Sequence, residues 1–382
     1  MRGTQSGNTA FGIYIHVPFC KSKCAYCAFS SVTDMSLRQK YVHAVISEIT
    51  SAPERGAPAD TVYIVGGTPS CLHRGALAEL SAAVRDTFDV SPSAEITVEA
   101  NPESCDAAFA DECAEAGVNR ISMGLQSADD NVLRAVGRIH TCADFVKAAE
   151  LLVKNGFSNI SSDVILGLPQ QTAADVKNAV DAVSAYCTHA SVYALSVEEG
   201  TALDKRGYTP DDDTVADMYD LARLELGKNG FLRYEVSNFA RDGKYSRHNV
   251  KYWRCEPYIG FGAAAHGYDG GSVRYAHADD TAEYIADSAR RVTALGDADM
   301  YNEYIMLALR TENGIGEDDF RRRFGYGFAD ANSALERLVS DGSIVISGGR
   351  YRIAPEKMFV MNGIVVELMK CANRALVLCY AA

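Results

Sequence analysis

The sequence predicts an α/β fold, an open partial (β/α)6 barrel followed by a small winged-helix-like α+β domain. Two observations support this prediction. Strand-like and helix-like segments alternate over the first half of the chain, which indicates a parallel sheet with right-handed crossovers. The pattern changes near residue 300, where short helices are followed by two strand-like segments around Gly348 and Gly349. We therefore expect domains at 1–290 and 291–382.

Each element of the barrel is predicted from its periodicity. Short apolar segments predict strands at 13–17, 61–65, 95–99, 120–126, 160–166 and 191–195. Apolar residues at helical spacing predict helices at 36–52, 77–88, 107–115, 143–155 and 173–186. Six strands are too few for a closed eight-stranded barrel. Functional groups are expected at the carboxyl ends of the strands.

The rest of the chain is less regular. A helix is predicted at 215–226 and a strand at 231–236, whereas 247–268 is rich in Gly, His and aromatic residues and has no clear period. Helices at 303–310, 317–324 and 329–341 precede the hairpin 343–346 and 350–353. Because this region is acidic, we interpret it as a cover over the barrel rather than a DNA-binding module. The apolar segment 376–379 near the end stays unassigned.

Composition limits the classes of function. The net charge of −13 argues against binding to nucleic acid, because no basic surface is available to neutralise phosphates. No apolar run approaches the ~20 residues that span a bilayer, and the polar start of the chain lacks the core of a signal peptide. We expect a cytoplasmic protein. The sequence leaves open peripheral contact with a membrane and assembly as a homodimer.

Three cysteines form the most informative motif. Cys20, Cys24 and Cys27 follow the first predicted strand with the spacing C-x3-C-x2-C, and the other eight cysteines are scattered singly. A tetrahedral zinc site usually has four Cys or His ligands in two close pairs. Three thiolates can instead hold three irons of a [4Fe–4S] cluster and leave the fourth iron open. The alternatives are three unconnected loop cysteines or a Cys24–Cys27 redox pair.

Further polar residues lie at predicted strand ends. The segment Gly66, Gly67 and Thr68 is either a tight turn or a place where backbone approaches a ligand closely. Glu99 ends a buried strand, where a carboxylate is costly unless it has a partner. Taken singly, such residues are more often caps or ion pairs. Gln126 and Asp163 fall in or near the strand ends as well, and Arg138, in the segment 134–138, is a further candidate.

The cysteine motif and the strand-end residues together resemble the radical S-adenosylmethionine (SAM) superfamily, in its coproporphyrinogen-oxidase-like branch. The resemblance extends from Gly12 to about Glu367. It implies a [4Fe–4S] cluster and SAM as cofactors, with SAM on the open iron. It also implies that Gly66–Thr68 meets the SAM amino group, Arg138 the carboxylate and Asp163 a ribose hydroxyl. The remaining members of the implied SAM site are Tyr14, Tyr26, Glu99 and Gln126.

A second motif lies at 247–253, Arg-His-Asn-Val-Lys-Tyr-Trp, which contains the only tryptophan of the chain. A lone histidine beside aromatic residues is more often a core residue than a ligand. Neutral imidazole is nevertheless a common axial ligand of haem iron. The segment resembles the HNxxYW motif of the HemW-type haem chaperones, and this resemblance implies haem as a third bound group, near His248. His266 is a weaker candidate.

Two features separate the chaperones from the true oxygen-independent coproporphyrinogen III oxidases. The oxidases have a further cysteine two residues after the third, where this chain has Phe29. They also have a long N-terminal arm, which we expect to be absent here. The resemblance therefore implies a protein that delivers haem to haem-accepting proteins, with the oxidase as the alternative. Catalysis through cleavage of SAM is left open, and a redox protein that only carries a cluster would need no SAM site.

Overall fold

The structure is a computed structural model that describes residues 9–369. Its helices and strands follow one another through nearly all of this range. The strands are β1 (Phe11–Val17), β2 (Pro58–Gly66), β3 (Asp89–Ala100), β4 (Arg120–Gln126), β5 (Ile160–Leu166), β6 (His189–Ala194), β7 (Leu232–Arg233), β8 (Asn238–Ala240), β9 (Tyr258–Phe261), β10 (His266–Tyr268), β11 (Val273–Ala276), β12 (Arg291–Ala294), β13 (Ile315–Gly316), β14 (Ile344–Ser347) and β15 (Arg350–Ile353).

The helices occupy most of the connections between strands. They are α1 (Arg38–Thr50), α2 (Ala76–Thr87), α3 (Ala107–Glu115), α4 (Asp130–Ala135), α5 (Cys142–Lys154), α6 (Ala173–Tyr186), α7 (Ala202–Lys205), α8 (Asp212–Lys228), α9 (Arg247–Trp253), α10 (Thr281–Ala286), α11 (Asp297–Leu309), α12 (Glu317–Phe324), α13 (Phe328–Ala331), α14 (Leu335–Ser340) and α15 (Met361–Leu368). Short 3₁₀ turns cover Pro69–Cys71, Pro102–Ser104 and Pro355–Val360.

One large sheet organises the molecule. Its strand order is β12-β11-β10-β9-β1-β2-β3-β4-β5-β6-β8-β7, so β1 to β6 lie side by side in chain order. Every pair within β1 to β6 is parallel, and β9 also runs parallel to β1. Over residues 9–369 the sheet does not close, because β12 and β7 remain its two edges. The predicted open, mostly parallel α/β sheet is confirmed.

The two faces of β1 to β6 differ in chemistry because side chains alternate along a strand. One face is apolar and packs under the helices α1, α2, α3, α5 and α6 in a single hydrophobic core. We call the opposite face the polar face. It carries Tyr14, His16, Thr61, Tyr63, Glu95, Thr97, Glu99, Arg120, Ser122, Ser161, Asp163, His189, Ser191 and Tyr193.

The region after β12 forms a second unit. Strands β13, β15 and β14 make a separate three-stranded sheet beside α11 to α14. A second hydrophobic core fills this unit, with Tyr301 and Phe320 at its centre, and it also includes Cys255 and Tyr268 from the first unit. Strand β12 starts at Arg291 but pairs with β11 in the large sheet. The predicted domain boundary between 290 and 291 stays a prediction.

Three predicted segments differ from the structure. The stretch 247–268, for which no period was found, contains α9, β9 and β10 and extends the large sheet beyond β1. Its strands have only three or four residues, too few to show a period of two. The predicted helix 329–341 is divided into α13 and α14, and the predicted strand 231–236 is reduced to β7. In the described part of the chain, no helix is long and apolar enough to cross a membrane.

Candidate functional site

The three cysteines of the motif lie in the loop that leaves β1. Backbone hydrogen bonds fix both ends of this loop, from Cys20 N–H to the Val32 carbonyl at 3.0 Å and from Ala25 N–H to the Val136 carbonyl at 2.8 Å. All three thiols are free and partly exposed. Among residues 9–369 no three Cys, His, Asp or Glu side chains converge to hold a single metal ion.

A chain of hydrogen bonds joins two of these thiols through the ends of neighbouring strands. The Thr68 hydroxyl donates to Cys20 Sγ at 3.5 Å and accepts from Asn101 Nδ2 at 2.9 Å. Arg138 Nη2 donates to Asn101 Oδ1 at 2.8 Å, and Arg138 Nη1 lies 3.8 Å from Cys24 Sγ. A hydroxyl donor therefore lies beside Cys20 at one end of this chain, and a guanidinium lies beside Cys24 at the other end.

The two glycines after β2 allow the loops to meet. Gly66 has φ of +121°, and a Cβ at this position would lie 2.5 Å from His16 Cε1. A Cβ on Gly67 would lie 2.7 Å from the Phe19 carbonyl oxygen, while Gly67 N–H itself donates to the Val17 carbonyl at 2.7 Å. Any larger side chain would push this turn away from the cysteine loop. The spacing of the two loops therefore depends on both glycines.

A carboxyl group with a raised pKa, Glu99, lies on the polar face one residue before the end of β3. Tyr63 Oη donates to Glu99 Oε1 at 2.8 Å. Burial first, and then the nearby charge of Asp163, raises the pKa of Glu99 to about 8. Burial also raises the pKa of Asp163, although a hydrogen bond from Ser191 opposes the shift. At neutral pH Glu99 can therefore donate a hydrogen bond to a ligand as well as accept one.

Two polar side chains near the end of β4 have buried atoms without hydrogen-bond partners. Gln126 adopts φ of +68°, an uncommon conformation for a residue other than glycine, and its Oε1 is buried without a hydrogen bond. Arg138 Nε is also buried without a partner. A Cβ on Gly124 would lie 2.4 Å from Gln126 Nε2 and 3.0 Å from Arg138 Nη2, so both side chains lie against Gly124. Buried orphan donors and acceptors of this kind fit a polar ligand such as SAM.

Of the two tyrosines of the set, Tyr14 lies on β1 and Tyr26 lies within the cysteine loop, between Cys24 and Cys27. Tyr14 Oη hydrogen-bonds to His16 Nδ1 at 3.0 Å, and burial, assisted by the charge of Glu99, raises the pKa of Tyr14. Tyr26 is half-buried in a small apolar cluster that includes Val136 and Leu203. Both phenols remain protonated at neutral pH and can donate hydrogen bonds. The structure thus brings the cysteines and the predicted SAM residues to one edge of the sheet.

His248 lies farther from the carboxyl ends of the strands than the residues of the predicted SAM site. Its Nδ1 is 2.8 Å from Thr61 Oγ1, its Nε2 is 2.9 Å from Tyr252 Oη, and its backbone N–H donates to Glu95 Oε1 at 3.1 Å. Thr61 and Glu95 each precede the last residue of their strand by five positions, about 16 Å along a strand. The imidazole is fully buried, and burial first and Lys251 second lower its pKa to about 3. His248 is therefore neutral, and both ring nitrogens are occupied.

His266, the weaker candidate, is the first residue of β10 and is exposed. It is not part of the polar face.

Two residues of the site were missed by sequence reasoning. Asn101 joins Thr68 to Arg138, and Tyr63 joins His248 to Glu99, with its ring centre 5.4 Å from that of His248. The only sequence signal for Tyr63 or Asn101 was its position, within or just after a predicted strand that carries or precedes candidate site residues.

Comparison with known proteins identifies the family. Residues 14–183 match the Radical SAM superfamily, and residues 295–360 match the HemN C-terminal domain. A heme chaperone HemW from Mycobacterium tuberculosis is 35% identical over 376 residues, which cover 94% of this chain and 95% of that protein. The chain belongs to the HemW family of the radical SAM superfamily. The HemW of Bacillus subtilis is also 35% identical, over 87% of this chain and 92% of its own length.

A solved structure supports the fold. The structure described as "Coproporphyrinogen III oxidase (HemN) from Escherichia coli is a Radical SAM enzyme" superposes with a TM-score of 0.84 over 96% of this chain and 91% of that chain, at 20% identity. At this identity the likeness concerns the fold alone. Membership of the radical SAM superfamily implies a [4Fe–4S] cluster and SAM, and the free thiols and the orphan atoms of Gln126 and Arg138 fit both groups.

The raised pKa of Glu99 predicts a dependence of stability on pH in the protein without SAM. The folded protein keeps this proton up to about pH 8, whereas an unperturbed carboxyl loses it near 4.5. The contribution of Glu99 to the free energy of unfolding therefore falls as the pH rises between these values, by about 1.4 kcal/mol per pH unit. We expect urea unfolding to show that the free energy of unfolding of the wild type, measured relative to that of Glu99→Gln, falls as the pH rises through this range.

Glu115, an exposed residue at the end of α3, provides the control for this experiment. Glu115→Gln should leave the difference in unfolding free energy from the wild type nearly constant over the same range. If the free energy of unfolding of the wild type relative to Glu99→Gln stayed constant or rose with pH, Glu99 would not be protonated in the folded protein.

Proposed function

We propose that this protein is a haem chaperone, which binds a [4Fe–4S] cluster, SAM and haem and delivers the haem to acceptor proteins. The observation that carries this proposal is the 35% identity to a protein named heme chaperone HemW, over nearly the full length of both chains. The site supports it in two respects. One edge of the sheet has the side chains for a cluster and SAM, and a neutral histidine lies deeper on the same face.

The groups at the strand ends have distinct proposed roles. Cys20, Cys24 and Cys27 would hold the cluster, which leaves one iron for SAM. When bound, the reduced cluster would supply an electron, and SAM would supply a sulfonium that this electron can cleave. Arg138 would bind the SAM carboxylate, since its Nε has no partner in the described protein. The other residues proposed to bind SAM are Tyr14, Tyr26, Gly66, Gly67, Thr68, Glu99, Gln126 and Asp163.

His248 would bind haem iron through Nε2. The Thr61 hydroxyl hydrogen-bonds to Nδ1 of His248. A hydrogen bond at one ring nitrogen of a histidine leaves the other nitrogen to bind a metal, which here is Nε2. Nε2 faces the hydroxyl of Tyr252, a half-buried side chain, so binding of iron requires Tyr252 to give up this hydrogen bond. The low pKa keeps the imidazole neutral, which is the form that binds iron.

The alternative function is oxidative decarboxylation of coproporphyrinogen III. The oxidases have a cysteine where this chain has Phe29, whose side chain is exposed beside the cysteine loop. A phenyl ring cannot replace a thiol as donor or ligand. The chaperone is therefore the better supported of the two functions.

One anaerobic experiment separates the two functions. The cluster is reconstituted, SAM and a strong reductant are added, and the protein is incubated separately with coproporphyrinogen III and with haem. We expect stoichiometric binding of haem and unchanged coproporphyrinogen, because the chain lacks the fourth cysteine of the oxidases. Formation of protoporphyrinogen would contradict the chaperone proposal, and so would a failure to bind haem.

His248→Ala tests the proposed haem ligand. We expect this substitution to weaken haem binding by at least about tenfold, since it removes the iron–imidazole bond, while the iron content of the cluster is unchanged. A Soret titration measures the affinity, and His43→Ala, at an exposed position of α1, provides the control. An unchanged titration for His248→Ala would exclude His248 as the ligand.

A further inference from the structure

Arg120 is a charged residue of the polar face that the proposed function does not use. It begins β4, pairs in register with Thr97 of β3, and is only 2% exposed. Its charge influences the pKa of His248 on one side and of Glu99 and Asp163 on the other. On β3, Thr97 lies between Glu95, which accepts the His248 N–H, and Glu99. Arg120 therefore lies at a level between the proposed haem ligand and the proposed SAM site.

The hydrogen-bonding capacity of this guanidinium is largely unused. Arg120 Nε and Nη1 are buried without a hydrogen-bond partner, and so is Thr97 Oγ1 beside them. Among the ion pairs of residues 9–369 none involves Arg120, so no described carboxylate oxygen lies within 4.0 Å of it. Burial of a guanidinium without a paired anion is costly, and arginine is rarely kept in this state unless something pairs with it.

The neighbouring carboxylates have other partners. Glu95 Oε1 accepts the His248 N–H at 3.1 Å, and Glu99 Oε1 accepts the Tyr63 hydroxyl at 2.8 Å. Asp163 accepts a hydrogen bond from Ser191. Glu95 and Asp163 contribute opposite charge but make no direct contact with Arg120. The protonated Glu99 contributes no charge. The N–H groups of Arg120 therefore remain available to an anion from outside the chain.

The polar face is partly exposed at other positions. Tyr14, Glu99, Asp163 and Tyr193 are half-buried and lie on the same face as Arg120. A ligand that reaches the guanidinium would approach it past these residues. A guanidinium presents parallel N–H donors that match the two oxygens of a carboxylate.

We propose that Arg120 binds a carboxylate of the ligand that enters the polar face, and that in the haem chaperone this carboxylate is a propionate of haem. The proposal rests on the proposed function. Tetrapyrroles have an apolar ring and two carboxylates, so a cation at a distance from the iron ligand fixes the orientation of the ring. Thr97, through its free hydroxyl, assists by donating to the same carboxylate.

The test compares haem with haem dimethyl ester, in which the propionates are neutral. On the reconstituted full-length protein, we expect Soret titrations to show that haem binds at least about tenfold more tightly than the diester. Arg120→Gln should remove this preference, because it should lower the affinity for haem, whose propionates are charged, and leave the affinity for the neutral diester unchanged. Arg120→Lys, which keeps the charge, should retain part of the preference.

Each outcome separates this inference from the proposed function. If the wild type binds neither haem nor the diester, the chaperone proposal itself fails. If it binds both equally, or if Arg120→Gln retains the preference, the proposed Arg120 site is wrong. The comparison of the two ligands on the wild type decides this even if Arg120→Gln does not fold. Arg55→Gln, at an exposed position, is the matched control and should retain the full preference.

Discussion

The parallel pairing of β1 to β6 is the constraint on which the site depends. Because these strands lie side by side in chain order and point the same way, their carboxyl ends meet at one edge of the sheet. The cysteine loop, Gly66 and Gly67, Glu99 and Gln126 all lie at or just beyond this edge. The apolar face is covered by helices, so the polar face is left for ligands. A single antiparallel strand among the six would move one of these groups to the opposite edge.

Within this frame, hydrogen bonds connect regions far apart in the sequence. The chain from Cys20 through Thr68, Asn101 and Arg138 to Cys24 links the cysteine loop to the ends of β2, β3 and β4. Tyr63 connects the deeper level to this edge, since its ring packs against His248 and its hydroxyl bonds Glu99. Binding of SAM at the edge and of haem below it would therefore involve the same tyrosine. The two proposed sites are neighbours on one face rather than separate modules.

The sequence was sufficient for much of this architecture. Helices 107–115 and 173–186 and strand 160–166 match the structure at both ends, because long amphipathic or buried segments have a clear period. Strands β9 and β10 were missed because they are short and gain their stability from pairing with β1 and with each other. Asn101 and Arg120 were also missed. Their roles depend on which strands are adjacent, and periodicity carries no information about that.

Three thiolates can hold a [4Fe–4S] cluster and leave one of its irons open to SAM. Electron paramagnetic resonance of the reduced, reconstituted protein, recorded with and without SAM, tests this arrangement. We expect a cluster signal that SAM alters in the wild type and that is lost, together with the iron, in Cys24→Ala. Cys142→Ala, outside the loop, should behave as the wild type. A signal that SAM leaves unchanged, or a full complement of iron in Cys24→Ala, would rule this arrangement out.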